Sequence, residues 1–102
     1  MDRPEYRSSV EESGGQIVVA VGGEIDLATC DAFATTVREA LARGPVVVDL
    51  AGIEFMDSSG VRTIDALLRE PGTLVFRDSL QPPVRRLLEL VGMLDLIPME
   101  PA

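Results

Sequence analysis

The chain has 102 residues, 46% of them apolar, and a formal net charge of −8. This length suits one domain with one hydrophobic core, and the apolar content excludes a mainly disordered chain. The negative charge argues against binding to nucleic acid or to an anionic membrane surface, because both need basic patches. No apolar run approaches the roughly 20 residues that a membrane-spanning helix needs.

Several residue types that support catalysis or metal binding are absent. There is no histidine, and the nine basic residues are all arginine. Ser-His-Asp and Cys-His catalysis and imidazole-based zinc sites are therefore excluded, and we expect neither a metal nor a cofactor. The only cysteine, Cys30, cannot form an internal disulfide, and residues 1–5 are charged and lack an apolar signal core. Both features favour a reduced, cytoplasmic setting.

The first half of the chain predicts a hairpin followed by a helix. Residues 5–12 alternate in polarity like a half-exposed edge strand, and Ser13-Gly14-Gly15 is a turn signal before a buried strand over residues 16–21. Gly22-Gly23 closes that strand, and either Asp26 or Thr29 is a suitable cap for a helix that runs to about Arg43. The apolar stripe of this helix comprises Leu27, Cys30, Phe33, Val37 and Leu41.

The second half alternates strands with helices. A buried strand over residues 46–50 is followed by a connection over 51–56 and by a helix that begins near Ser59. A strand over 73–77 precedes a third helix, which starts near the prolines at 82–83 and is capped by Gly92, and a short edge strand lies within 94–99. The apolar stripes of the two helices comprise Val61, Ile64, Leu67 and Leu68, and Val84, Leu87, Leu88 and Val91.

The predicted order is β-β-α-β-α-β-α-β, which indicates an α/β domain with a mixed sheet of about four to five strands and helices packed on it. Right-handed parallel crossovers connect the later strands, and binding sites in such sheets lie beyond the carboxyl ends of the strands. Asp26 follows one strand and Asp57-Ser58 follow another. If those two strands are neighbours, both acidic loops meet at one edge of the sheet.

The stretch Phe55-Met56-Asp57-Ser58-Ser59-Gly60 places an acid, two hydroxyls and a glycine at a helix N-terminus. Unpaired backbone N–H groups at that end accept a hydroxyl or carboxylate cap, and they also tolerate a phosphate. The hydroxyls are therefore either caps alone or a phosphorylation site, with Ser59 more simply a first-turn helix residue. We interpret Phe55 and Met56 as packing residues.

Three segments resemble the STAS domain, and more narrowly the bacterial anti-sigma factor antagonists. They are Gly23-Glu24-Ile25-Asp26, Val48-Asp49-Leu50 and the Phe55–Gly60 stretch, and the segment from Pro82 to Gly92 is a weaker match. The likeness is strongest over residues 16–97 and implies that residues 1–102 form one STAS domain. Two departures stand out: many members have a further C-terminal helix after the position of Ala102, and some have glycine where this chain has Arg62.

The resemblance implies a non-enzymatic partner switch that regulates sigma-factor-dependent transcription, as in stress responses. Such antagonists bind an anti-sigma factor that is also a serine kinase, and the kinase then phosphorylates the first hydroxyl residue after the aspartate, here Ser58. A serine phosphatase resets the switch. By position, Asp26, Asp57, Ser59 and Gly60 complete the switch loop with Ser58. We expect phosphorylation to block docking through bulk and charge without reshaping the fold.

Other interpretations stay open. The chain could serve as a STAS accessory subunit that docks on the ATPase of an ABC-type transporter, and the captured partner would distinguish the two systems. A small hydrolase or phosphotransferase using Asp57 and Ser58 would need a base, and neither histidine nor lysine is present. Asp26 could be only a helix cap. Cys30 falls on an apolar stripe, which predicts a buried, inert thiol.

Overall fold

The computed structural model describes residues 6–102 and contains there five strands and three helices in the predicted order. The elements are β1 (Arg7–Ser13), β2 (Gln16–Ile25), α1 (Cys30–Leu41), β3 (Val46–Met56), α2 (Ser58–Leu68), β4 (Leu74–Asp78), α3 (Pro82–Leu90) and β5 (Met99–Pro101). Residues 1–5, which the sequence predicts to lack a secretion signal and to include the first residue of the edge strand, lie outside the described part.

The five strands form one mixed sheet in the order β1-β2-β3-β4-β5. β1 pairs antiparallel with β2, and the other three neighbouring pairs are parallel. Because each crossover moves one strand further in the same direction, right-handed connections bring all three helices to one face of the sheet. The hydrophobic core lies on that face and includes Val19, Val48, Phe76, Phe33, Ile64 and Leu88. The predicted α/β fold class is confirmed.

The opposite face of the sheet carries polar side chains that join its strands. Asp49 on β3 accepts a hydrogen bond from Ser79 Oγ at 2.9 Å, and Arg77 Nη1 of β4 lies 3.4 Å from the other Asp49 oxygen. Arg77 Nε also lies 3.8 Å from a carboxylate oxygen of Glu100 on β5. These contacts connect three parallel strands on the face away from the core.

Strands β2 and β3 are both longer than the sequence predicts. The glycines at 22–23 continue β2, and the predicted connection over 51–56 is the second half of β3. The pairing between the two strands shifts register twice, between Ala20 and Gly22 and again between Gly23 and Glu24. Such bulges interrupt the alternation of inward and outward side chains, so the strand pattern disappears from the sequence although the strand continues.

The C-terminal elements also differ in detail from the prediction. Gly92 follows the last turn of α3 with φ 77, and Met93 N–H donates to Leu88 O at 2.8 Å, which closes the helix as predicted for a glycine stop. Val91 is half exposed rather than part of the apolar stripe. A hydrogen-bonded turn at residues 93–97 buries Met93 and Ile97, so the final strand begins only at Met99. Within residues 6–102, none of the helices has the length and apolarity that a membrane crossing requires.

Candidate functional site

The two acidic loops lie side by side at the carboxyl edge of the sheet. β2 and β3 are neighbouring parallel strands, and their last paired residues are Ile25 and Met56. Asp57 N–H continues this pairing with a hydrogen bond to Ile25 O at 3.2 Å. β2 and β3 are therefore neighbours, which is the condition under which the two acidic loops were predicted to meet. It brings the loop after Ile25 next to the start of α2.

Asp57, rather than either serine, caps α2. Its backbone is extended, with φ −110 and ψ −170, and its Oδ1 accepts hydrogen bonds from Ser59 N–H at 2.8 Å and Gly60 N–H at 3.4 Å. These are two of the amides that a helix leaves unpaired at its N-terminus. The interpretation of the serine hydroxyls as the caps is wrong, because the aspartate occupies that position first.

Ser58 and Ser59 differ sharply in exposure although both lie in the first turn of α2. Ser58 is exposed, and its hydroxyl makes no hydrogen bond within residues 6–102. Ser59 is only 7% exposed, and its backbone carbonyl accepts a hydrogen bond from Thr63 Oγ1 at 2.8 Å. Of the two hydroxyl groups, that of Ser58 is therefore the one that an enzyme can reach.

Gly60 permits the close approach of α2 to the ends of β2 and β3. A Cβ atom at this position would lie 2.4 Å from Met56 Cγ and 3.0 Å from Ile25 Cγ2. Both of those side chains are buried, so neither can move into solvent without cost. The glycine thus fixes the position of the helix start, and with it the position of Ser58.

The loop between β2 and α1 is held by its own polar groups. Asp26 Oδ1 accepts hydrogen bonds from Ala28 N–H at 2.9 Å and Thr29 N–H at 3.1 Å. Thr29 Oγ1 donates to Glu24 O at 2.8 Å and accepts from Asp26 N–H at 2.9 Å. Thr29 is the N-cap residue of α1, but no side-chain bond reaches the helix amides. Asp26 therefore shapes the loop before the helix rather than capping it directly.

Two apolar residues beside this edge are exposed, contrary to their predicted packing roles. Leu27 precedes α1 instead of lying on its apolar stripe and is 77% exposed, and Phe55 is 48% exposed while Met56 points inward. Cys30 is only partly buried, with Sγ 3.7 Å from Leu27 O, so the predicted burial of its thiol is incomplete. The periodicity of the predicted helix placed Leu27 on its buried face, but α1 begins only after that residue. The bulges between β2 and β3 likewise change which side chains of β3 face the core near Phe55.

A groove of about 210 Å³ runs between α1 and α2 from this edge. It is lined by Leu27, Cys30, Asp31, Ala34, Arg38, Ser59, Arg62, Thr63 and Ala66. Within residues 6–102, no cluster of side chains has the composition of a metal site. This edge of the sheet thus combines an exposed hydroxyl, exposed apolar side chains and carboxylates already engaged by backbone amides.

The family and its relatives agree with this architecture. Residues 8–98 match the family model described as "Mlab, STAS domain". An anti-sigma F factor antagonist of Paenibacillus polymyxa is 32% identical over 95 residues, which cover 87% of this chain and 81% of the relative.

Solved structures show the same fold. An anti-sigma factor antagonist from Mycobacterium paratuberculosis superposes with a TM-score of 0.79 and 31% identity, over 96% of this chain and 87% of that one. The Bacillus protein SpoIIAA matches at 21% identity in its unphosphorylated form (TM-score 0.72, 94% and 88% of the two chains) and in its phosphorylated form (TM-score 0.66, 94% and 91%). The chain belongs to the STAS domain family, and these relatives are anti-sigma factor antagonists.

Proposed function

We propose that the chain is an anti-sigma factor antagonist that binds an anti-sigma factor of the serine-kinase type and is released when that kinase phosphorylates Ser58. The observation that carries this proposal is the exposed Ser58 hydroxyl at the start of α2, beside exposed Leu27 and Phe55. The names of the relatives support the antagonist role, and the phosphorylated form of SpoIIAA supports a phosphate on this fold. Binding of the unmodified chain to the anti-sigma factor frees the sigma factor for transcription, and a serine phosphatase restores the unmodified chain after phosphorylation.

The proposed contact surface, which we call the switch surface, comprises Asp26, Leu27, Phe55, Asp57 and Ser58. Leu27 and Phe55 supply apolar area that is exposed in the isolated chain and is favourable to cover. Asp26 and Asp57 hold the two loops through backbone amides. Ser59 and Gly60 are buried beneath the surface and support it from below.

Phosphorylation acts on this surface through charge and bulk. A phosphoserine carries roughly −1.5 to −2 charges at pH 7. It would stand next to Asp57, the helix cap, and to the Asp26 loop across the strand pairing. Within a docked interface, an uncompensated charge costs several kcal/mol, which corresponds to roughly a 100-fold or greater loss of affinity. The switch therefore needs no change in the fold.

The first experiment is a pull-down from the native host with the parent chain, Ser58→Ala and Ser58→Glu as baits. We expect a serine-kinase anti-sigma factor to bind the parent and Ser58→Ala and to be lost with Ser58→Glu. Ser9→Glu is the matched control, because it adds the same charge at an exposed serine on β1. The captured kinase, incubated with ATP and the parent chain, should modify Ser58 and leave Ser59 unmodified by mass spectrometry.

Two results would contradict the proposal. Capture of the same transporter ATPase by all three baits would favour the accessory-subunit function and leave Ser58 as a helix residue only. Equal capture of the anti-sigma factor by Ser58→Glu and Ser58→Ala would mean that binding does not depend on the charge at position 58.

A further inference from the structure

Within residues 6–102, Arg62 differs from most arginines in having no ionic partner. Within residues 6–102, five arginines form ion pairs, namely Arg38, Arg43, Arg69, Arg77 and Arg85. Arg62 is exposed on α2 and lies within 4 Å of no carboxylate in that part of the chain. Its side chain lines the groove between α1 and α2. This guanidinium, which no carboxylate of residues 6–102 engages, lies next to the switch surface and is available for an anion.

The geometry of α2 directs Arg62 toward Ser58. The two residues are four apart in one helix, so their Cβ atoms are neighbours at about 5–6 Å. Helical side chains lean toward the N-terminus, which carries the longer Arg62 chain over the turn that contains Ser58. An anion placed four residues before a cation is the more favourable order of such a pair. The first turn of α2 contains no acidic side chain that would compete.

We propose that Arg62 forms an intrahelical ion pair with the phosphate of phosphorylated Ser58. The pair rests on the proposed function, because it exists only in the phosphorylated chain. It withdraws the guanidinium from the α1–α2 groove, which then keeps Asp31 and loses one cation. Phosphorylation thus changes two adjoining parts of the surface: the phosphate blocks the switch surface, and the groove loses one positive charge.

A phosphate titration tests the pair without any partner protein. Phosphoserine is incorporated at position 58 during synthesis, and the ³¹P chemical shift is followed from pH 4 to 8. We expect the second pKa of the phosphate to be lower in the parent than in Arg62→Gln by roughly 0.15–0.4 unit, the shift that corresponds to an exposed i,i+4 ion pair. The difference should shrink in about 1 M salt. Arg62→Lys should restore most of it.

The matched control is Arg86→Gln, which removes an exposed arginine without an ion pair in residues 6–102 from α3, and it should titrate like the parent. Equal pKa values in the parent and in Arg62→Gln would overturn the pair. This outcome would leave the proposed function standing, because the pull-down does not depend on Arg62. Conversely, a pull-down that captures no serine-kinase anti-sigma factor would contradict the proposed function, and the titration result would be unchanged.

Discussion

At the residue scale, Gly60 is the position where a single added methyl group should be felt most. Glycine to alanine normally stabilises a helix interior by up to about 1 kcal/mol. Here the new Cβ would lie 2.4 Å from Met56 Cγ, and we expect overpacking of about 1–3 kcal/mol to outweigh the gain. Gly60→Ala should therefore lower the free energy of unfolding in a urea titration, by about 1–2 kcal/mol after the propensity gain.

The clash itself is tested by a double-mutant cycle. In the Met56→Ala background the overlap with the Met56 side chain is gone and the contact with Ile25 Cγ2 at 3.0 Å remains, so Gly60→Ala should cost clearly less there than in the parent. Ser58→Ala, an exposed change two residues earlier in the same helix, should stay within about 0.5 kcal/mol of the parent. A Gly60→Ala chain more stable than the parent would mean that α2 shifts freely at its start.

At the element scale, the start of α2 depends on the acceptor that Asp57 provides. Asp57→Ala removes the hydrogen bonds to Ser59 N–H and Gly60 N–H, and we expect a loss of about 1 kcal/mol in the free energy of unfolding. Asp57→Asn keeps an oxygen acceptor at the cap, so its loss in the free energy of unfolding should be only a few tenths of the loss in Asp57→Ala. Chemical denaturation of the three chains measures both. An equal loss in Asn and Ala would assign the stabilisation to the charge instead.

The elements also show where sequence reasoning succeeded and where it could not. Hydrophobic period and the Gly and Pro breaks predicted all eight elements in order, because those patterns report local conformation and burial directly. The second half of β3 was missed because two register shifts against β2 break its alternation. Register is a property of two strands together, so the outward Phe55 and the inward Met56 could not be assigned from one strand alone.

The candidate site also combines features that local sequence predicts with features that depend on tertiary packing. An acid, hydroxyls and a glycine at a helix start are readable from the residues of Phe55 to Gly60 alone, but their proposed role as a switch site depends on the resemblance to the STAS domain. The different exposure of the two serines could not be predicted from local sequence. The burial of Ser59 and the exposure of Ser58 depend on how α2 packs against β2 and β3. The role of Gly60 depends likewise on the Ile25 and Met56 side chains beneath it.

At the scale of the whole molecule, the structure predicts that phosphorylation of Ser58 would be a local event. Ser58 is exposed, and its hydroxyl contributes no hydrogen bond to the fold within residues 6–102, so a phosphate displaces no core contact there. The helix dipole, which is worth about 0.3–1 kcal/mol for a charge at an exposed site, offsets part of the repulsion from the carboxylates of Asp57 and Asp26. Salt screens the added charge beyond about 8–10 Å, so it does not reach the far edge of the sheet.

The expected outcome is a small, confined change in the amide spectrum of the chain with phosphoserine at position 58. Shifts in a ¹H–¹⁵N correlation spectrum should be limited to residues near 24–31 and 55–64, while β1, β4 and α3 stay at their positions in the unmodified chain. Ser58→Ala serves as the control for loss of the hydroxyl alone. Shifts spread across β4 and α3 would instead require a conformational switch, and the surface mechanism would fail.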